Sequence, residues 1–395
     1  MTKQQFLVIL LLLAVIASAY TQKLVFTDTT YFYGNKNIIE SIVEYNIENN
    51  DTIKNGEAFF YYVTKDLKQR GFYENGHLSD KWTTYFTNGE IKRTANYYGG
   101  LKNGKVTSFH ENGHIKYTGI FLNDSLTGEM KLYYDTGELM ETRMYASNKL
   151  NGLTTGYYLN GNKKYIVNFV DSIKNGVYQK YYSSGKIKED ALINNASYYG
   201  NYKTYYENGN LEKTYAYQGL DISGKYLVYY QNGERKIESF YTDGKPDSLF
   251  QQFHQNGSIY ETGFYNNGIR EGLWISFYPD STLYMKGRYF HGEAQGVWNI
   301  YYENAQIKQS GMYDKGISQG KWVFYFINGQ IKMKGIFVDD IEDGHWVHFY
   351  ENGVVKLDLY YKLGKLDGIL TAYDEEGKLL EQAEYADNKL IRKIK

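Results

Sequence analysis

Read along the chain, apolar residues alternate with polar ones at a period of two rather than 3.6, in short runs broken by Asn-Gly and similar pairs. Phe326-Ile327-Asn328-Gly329-Gln330-Ile331 is typical. A period of two places alternate side chains on opposite faces of an extended strand, so the runs predict strands. Asn-Gly between apolar runs predicts β-hairpins, with a two-residue type I′ turn as the preferred form because both dipeptide positions then need positive φ.

The turns recur at a fixed interval. Taking the second residue of each turn pair as an anchor, they fall at Gly89, Gly113, Gly137, Gly161, Gly185, Gly209, Gly233, Gly257, Ser281, Ala305, Gly329, Gly353 and Gly377, each 24 residues after the last. A degenerate unit with Lys65 at its anchor precedes them. Self-similarity at this period identifies a repeat array in which each unit packs on its neighbours. The expected fold is all-β: an elongated, twisted ribbon of tandem antiparallel hairpins. Residues 57–395 form the repeats, and residues 20–56, which match them poorly, form an N-terminal cap.

A type I′ turn at Asn328-Gly329 fixes a register. It sets Tyr325 opposite Lys332, Phe326 opposite Ile331, Trp322 opposite Gly335 and Gly320 opposite Phe337. Large rings then lie across from glycines on one face, an arrangement that fills the space a missing side chain leaves. On the other face the position four before each anchor is aromatic, as in Tyr205, Tyr229, Phe253, Phe277, Tyr301, Tyr325 and Phe349. Its assigned partner, three after the anchor, is often lysine: Lys92, Lys116, Lys164, Lys188, Lys236, Lys308, Lys332 and Lys356. The candidate binding residues are therefore Tyr205, Tyr229, Phe277, Tyr301, Tyr325, Phe349, Lys308, Lys332 and Lys356. The apolar face of a single sheet also needs cover. Either its rings cover one another, or two chains pair as a homodimer.

Composition sharpens this picture. The chain has 45 Tyr, 20 Phe and 40 Gly but 2 Pro and no Cys. Aromatics favour strands and proline damages ladders. Without cysteine there are no disulfides, thiolate metal sites or cysteine nucleophiles. The formal net charge of −1 lacks the basic excess of a nucleic-acid binder, so none is expected. At the N-terminus, Lys3, the apolar run Phe6 to Ala17 and the small residues Ala17-Ser18-Ala19 read as a signal peptide over residues 1–19. The run is shorter than the roughly 20 residues needed to span a bilayer. The mature chain is expected to be exported: periplasmic, surface-bound or secreted.

The phrase Gly311-Met312-Tyr313, Gly316, Gly320-Lys321-Trp322-Val323-Phe324-Tyr325-Phe326-Ile327-Asn328-Gly329-Gln330-Ile331 resembles the MORN repeat variant. The resemblance runs through most of the chain and thins over 150–200, where Thr154 and Ile193 replace aromatics. It implies an antiparallel hairpin ribbon and a role in protein scaffolding, dimerisation or contact with membrane lipid. Some bacterial members of the family are antitoxins, which the export signal disfavours as a cytoplasmic role here.

Catalytic chemistry finds little footing. His110-Glu111-Asn112-Gly113-His114 has the H-E-x-x-H spacing of zinc proteases, but that mechanism needs both imidazoles one turn apart on a helix, and this segment is a hairpin turn. His254 occupies an aromatic slot of the repeat. His345 and His348 lie an odd number apart on one strand, hence on opposite faces. Glu111, Glu207, Glu303 and Glu351 sit beside turns as solvated acids. Asn50, Asn123, Asn195 and Asn256 begin glycosylation sequons, which matter in a glycosylating host. The chain is therefore expected to be non-enzymatic and free of cofactors and metals. Its expected partner is a protein bound along the rod, with an envelope glycan or lipid head group on the aromatic and lysine face as the alternative.

Overall fold

A computed structural model describes residues 24–48 and 50–395; the signal segment 1–19 lies outside them. The described chain forms 32 β-strands and one 3-10 turn, Phe32–Gly34, and contains no α-helix among the described residues. It divides into two compact units, one ending at Gly185 and one running Lys186–Lys395. In each unit the strands pair antiparallel with their sequence neighbours. In the first, Leu24–Tyr31 pairs with Ile39–Glu48, which pairs with Asp51–Tyr61, which in turn joins Leu67–Glu74. The expected boundary between cap and repeats thus falls inside the strand Asp51–Tyr61. Val43, Ala58 and Trp82 are buried together there.

One hairpin of the second unit shows how the repeat is built. Ile317–Tyr325 pairs with Ile331–Val338, and the register sets Trp322 opposite Gly335 and Gly320 opposite Phe337, as the sequence predicts. The turn differs. The Phe326 N–H donates to the Gln330 carbonyl at 2.8 Å, and the Gly329 N–H to the Phe326 carbonyl at 3.0 Å. Gly329 has φ +86°, whereas Asn328 is not among the residues of positive φ. This is a three-residue loop, a type I turn closed by a left-handed glycine in a G1 bulge, not a type I′ turn. Asn328 keeps an ordinary φ because its Oδ1 accepts the Gln330 N–H at 2.9 Å, an Asx bond.

The extra residue shifts the strand ends. Tyr325 pairs with Ile331, so the expected Tyr325–Lys332 and Phe326–Ile331 pairs do not form. The two-residue turns with positive φ at both positions lie at the other edge, between repeats: Lys315 at +48° with Gly316 at +78°, and Asp339 at +51° with Asp340 at +64°.

The core is a line of indoles. Trp274, Trp298, Trp322 and Trp346 in the second unit, and Trp82 in the first, are all buried. Each lies on a glycine eleven residues earlier, and a Cβ placed on Gly311 would come within 2.0 Å of Trp322. This corrects the expected coverage. Trp322 is paired with Gly335, but its ring leans over Gly311 in the preceding strand, and Gly335 is covered by Trp346. Phe337 does not cover Gly320 either, whose nearest neighbour at a Cβ position is Met312. Between the indoles stand Tyr265, Tyr289, Tyr313, Phe337 and Tyr361, edge to face at 5.1–6.4 Å. Such contacts add about 0.5–1.5 kcal/mol beyond burial. The rings of this face therefore cover one another along the unit, the first of the two ways of covering it.

Candidate functional site

The aromatic stripe and the lysine row are both present, but not as partners. Tyr205, Tyr229, Phe277, Tyr301, Tyr325 and Phe349 each end a strand and are half-buried. Lys308, Lys332 and Lys356 are exposed. Their ammonium groups lie over Tyr302, Phe326 and Tyr350, at 5.7, 5.9 and 5.2 Å from the ring centres. These are the residues one step nearer the turn. The bulge causes the slip: the lysine is set one place along from its assigned partner. The stripe rings do meet cations, from another position of the repeat, with Lys286 over Tyr301 at 5.9 Å and Lys334 over Phe349 at 5.4 Å.

The sequence reading missed the second aromatic of each pair. Tyr206, Tyr230, Tyr278, Tyr302 and Tyr350 donate their hydroxyls to the carbonyls of Tyr229, Phe253, Tyr301, Tyr325 and Tyr373, at 2.7–2.9 Å. Each bond ties a turn to the next repeat. His254 fills this slot and bonds the Phe277 carbonyl at 3.0 Å, the structural role its position suggests. The turn asparagines make a parallel ladder: Asn208, Asn232, Asn256, Asn304 and Asn352 donate Nδ2 to a carbonyl of the following turn. The repeated Tyr and Asn of each turn are the signal that could have revealed both ladders.

In the first unit, His110 and His114 occupy the corresponding turn of their own repeat. The segment is a turn, and the rings meet the Tyr133 and Asp135 carbonyls at 3.3 and 2.8 Å. His345 bonds Asp358 at 2.7 Å and stacks on Tyr360, while burial and the nearby Lys356 and Lys332 push the His348 pKa down. Among the described residues no group of three or more His, Asp or Glu side chains is placed to hold a metal ion.

On the indole face three carboxylates, Glu141, Glu189 and Glu261, are buried with partners, and Glu189 accepts from the Tyr198 and Tyr202 hydroxyls at 2.9 and 3.0 Å. Glu141 accepts from Arg143 at 2.7 Å and from the Tyr165 hydroxyl at 2.7 Å. Burial first, then the Glu141 bond, push the Tyr165 pKa up to about 12. Glu261 holds Arg270 at 3.0 Å, and the guanidinium lies 4.0 Å over Trp274.

The opposite face of the second unit is uncovered. Leu249 pairs with Phe264 and Val297 with Met312. These four, with Leu273 and Ile336, are all exposed, Val297 at 60% and Phe264 at 54%. Lys321, Arg288 and His345 interrupt the row.

Comparisons with known proteins agree with the repeat. Eight stretches match the model of the MORN repeat variant: 102–123, 126–146, 150–171, 174–195, 198–218, 246–267, 342–363 and 366–387. No curated protein matches. Among solved structures, the TcdB2-TccC3-Cdc42 complex shows 12% identity across 91% of this chain and 24% of that chain, at a TM-score of 0.16. TcdB2-TccC3-TEV shows 13% identity across 88% and 19%, at the same TM-score. The chain spans a quarter or less of these proteins, and a likeness this slight carries no argument. Within the second unit, the matches at 198–218, 246–267 and 342–363 each frame one hairpin closed by an Asn-Gly turn. On its repeated hairpins and on these eight matches, the chain belongs to the MORN repeat variant family.

Proposed function

We propose that the chain is a non-enzymatic, exported scaffold that binds a protein partner along the uncovered face of its second unit. The observation that supports this reading is the apolar row of Leu249, Phe264, Leu273, Val297, Met312 and Ile336 on a sheet whose other face already covers itself. Exposed apolar patches bordered by polar residues mark interaction sites, and Leu249 with Phe264 and Val297 with Met312 form two such patches, separated by Arg288. The non-enzymatic reading draws on the placement of the candidate groups. The acids beside the turns are solvated, and the paired histidines are spent on backbone carbonyls.

The test is Val297→Glu with Met312→Glu, two outward-facing changes that leave the ladders intact. Proximity labelling in the exported fraction should enrich a defined protein with the wild type and lose it with the double variant. Equal enrichment by both would refute the assignment of this face. If the partner is a second copy, sedimentation velocity at micromolar concentration will show a dimer that the double variant splits.

The aromatic and lysine stripe supports a second reading, a glycan or lipid head-group site, because Lys286 and Lys334 keep cations beside the rings of Tyr301 and Phe349. Replacing Tyr301 and Tyr325 by Ala tests it. Loss of head-group or glycan binding with folding retained would favour the stripe over the apolar row.

A further inference from the structure

The indole face repeats one geometry and changes its contents. Tyr265 meets Trp274 at 5.1 Å and 85°, and Trp274 meets Tyr289 at 6.0 Å and 85°. One repeat later, Tyr289 meets Trp298 at 5.1 Å and 85°, and Trp298 meets Tyr313 at 6.0 Å and 84°. The two aromatic frames are equivalent. In the first, Arg270 fills the space over the indole. Its guanidinium carbon lies 4.0 Å from the Trp274 ring centre and 5.4 Å from that of Tyr289. The guanidinium also donates to the Tyr289 hydroxyl at 3.3 Å and to Glu261 at 3.0 Å.

In the second frame, 24 residues on, Ala294 stands in place of Arg270 and Met285 in place of Glu261. What remains is a hollow of about 280 Å³, with Met285, Ala294, Trp298, Gln309, Tyr313 and Trp322 in its lining. We propose that this hollow binds a quaternary ammonium group, held over Trp298 as the Arg270 guanidinium is held over Trp274.

The first frame shows that this arrangement of rings accepts a cation, as the negative faces of indole and phenol require. The replacements in the second frame select which cation. A guanidinium brings five N–H donors that need acceptors; Glu261 supplies them in the first frame, and the Met285 thioether does not. A trimethylammonium group has no N–H to satisfy, and its methyls suit Met285, Ala294 and the ring faces. The volume lies just below the ~300–1,000 Å³ of drug-sized ligand sites, so it suits a head group rather than a large ligand. The site lies on the face opposite the apolar row and does not depend on the scaffold reading.

The experiment is calorimetric titration of the whole protein with choline, against its neutral isostere 3,3-dimethylbutan-1-ol and against guanidinium. Choline should bind saturably, the isostere more weakly by roughly 5-fold or more, and guanidinium more weakly than choline. Met285→Glu with Ala294→Arg rebuilds the first frame in the second, so folding should persist by circular dichroism while choline binding is lost. No saturable binding, equal affinity for the isostere, or choline binding that survives in the folded double variant would each overturn the proposal. Vesicles separate the sources. Wild-type co-sedimentation with phosphatidylcholine but not phosphatidylglycerol assigns a lipid head group, and choline binding without it assigns a soluble ion.

Discussion

Replacing Gly311 with alanine should destabilise its repeat, and replacing Trp322 with valine in the same chain should restore much of the loss. A Cβ on Gly311 would lie 2.0 Å from Trp322 Cδ2 and 2.2 Å from Cε2. Gly311 pairs with Trp298 on one side, and its neighbours Ser310 and Met312 pair with the next strand on the other, so the backbone is held and the indole has to move. That movement disturbs ring contacts with Tyr313 at 5.2 Å, Phe337 at 5.7 Å and Phe324 at 6.0 Å. Overpacking together with weakened ring pairs should cost about 3 kcal/mol. Trp322→Val alone leaves a cavity beside Gly311 and should also cost about 3 kcal/mol. The double variant recreates a pair that this protein already uses, Ala95 opposite Val106, each 2% exposed. Its cost should therefore fall short of the sum by about 2 kcal/mol. The assay is native-state hydrogen exchange over residues 307–338, because a repeat array need not unfold as one unit and a global midpoint would dilute a local change. The sign is decisive. Without the clash, Gly→Ala in a strand lowers unfolded-state entropy and should stabilise by about 0.4–1 kcal/mol. A stabilised Gly311→Ala, or additive costs in the double variant, would refute the fit of indole on glycine.

Four further changes test the edges and the buried acid. Ala305 holds the left-handed turn position at φ +65°, so Ala305→Gly should stabilise residues 299–310 by about 0.5 kcal/mol, and Gly329→Ala should cost at least as much in its own hairpin; exchange protection in the two turns checks both. Tyr302→Phe removes the hydroxyl that reaches the Tyr325 carbonyl at 2.8 Å and should cost about 1 kcal/mol, read as lost protection at the turn that follows. Tyr165 has its pKa raised from 10.0 to about 12, so folding keeps its proton. Its contribution is complete below pH 10 and is lost as pH rises through about 12; Tyr165→Phe should flatten that alkaline loss around residues 139–181 in an exchange or dichroism series.

How far the sequence could be read depended on what each residue pattern constrains. Period-two alternation and the 24-residue interval determine strands and hairpins, because both follow from where side chains can point. The Trp322–Gly335 and Gly320–Phe337 pairs were readable for the same reason. The turn type was not, because Asn-Gly serves two loops. In a type I′ turn both residues take positive φ, whereas here Asn328 closes an Asx bond and Gly329 alone is left-handed. That single residue of difference moved Lys332 from Tyr325 to Phe326. The direction in which an indole leans is also invisible to pairing arguments, since Trp322 could cover Gly335 or Gly311 with the same register. The sequence nevertheless held the answer in another form: Trp82, Trp274, Trp298, Trp322 and Trp346 each follow, by eleven residues, a glycine. The buried acids escaped because Glu141, Glu189 and Glu261 are irregular departures at one repeat position, filled by Tyr165, Lys213 and Ile237 in units between, and a repeat is read by what recurs.

Those departures matter most for function. The edges of each repeat are tied by bonds that ignore the face between them: asparagine amides and tyrosine hydroxyls reaching carbonyls of the next turn. With the edges fixed in this way, face residues can change without loss of the frame, and they do. Over Trp274 the frame holds an arginine neutralised by Glu261. Over Trp298 it holds alanine and a hollow. Further back, where no indole is present, Tyr202, Tyr215 and Tyr226 stack ring on ring at 5.0 and 5.4 Å and Tyr241 leans on Tyr226 at 5.0 Å, with burial pushing the Tyr215 pKa sharply up. A uniform face would bind the same group weakly at every repeat. A face that varies on a constant backbone gives each repeat its own chemistry, so the hollow over Trp298 can select a ligand that the filled frame over Trp274 excludes.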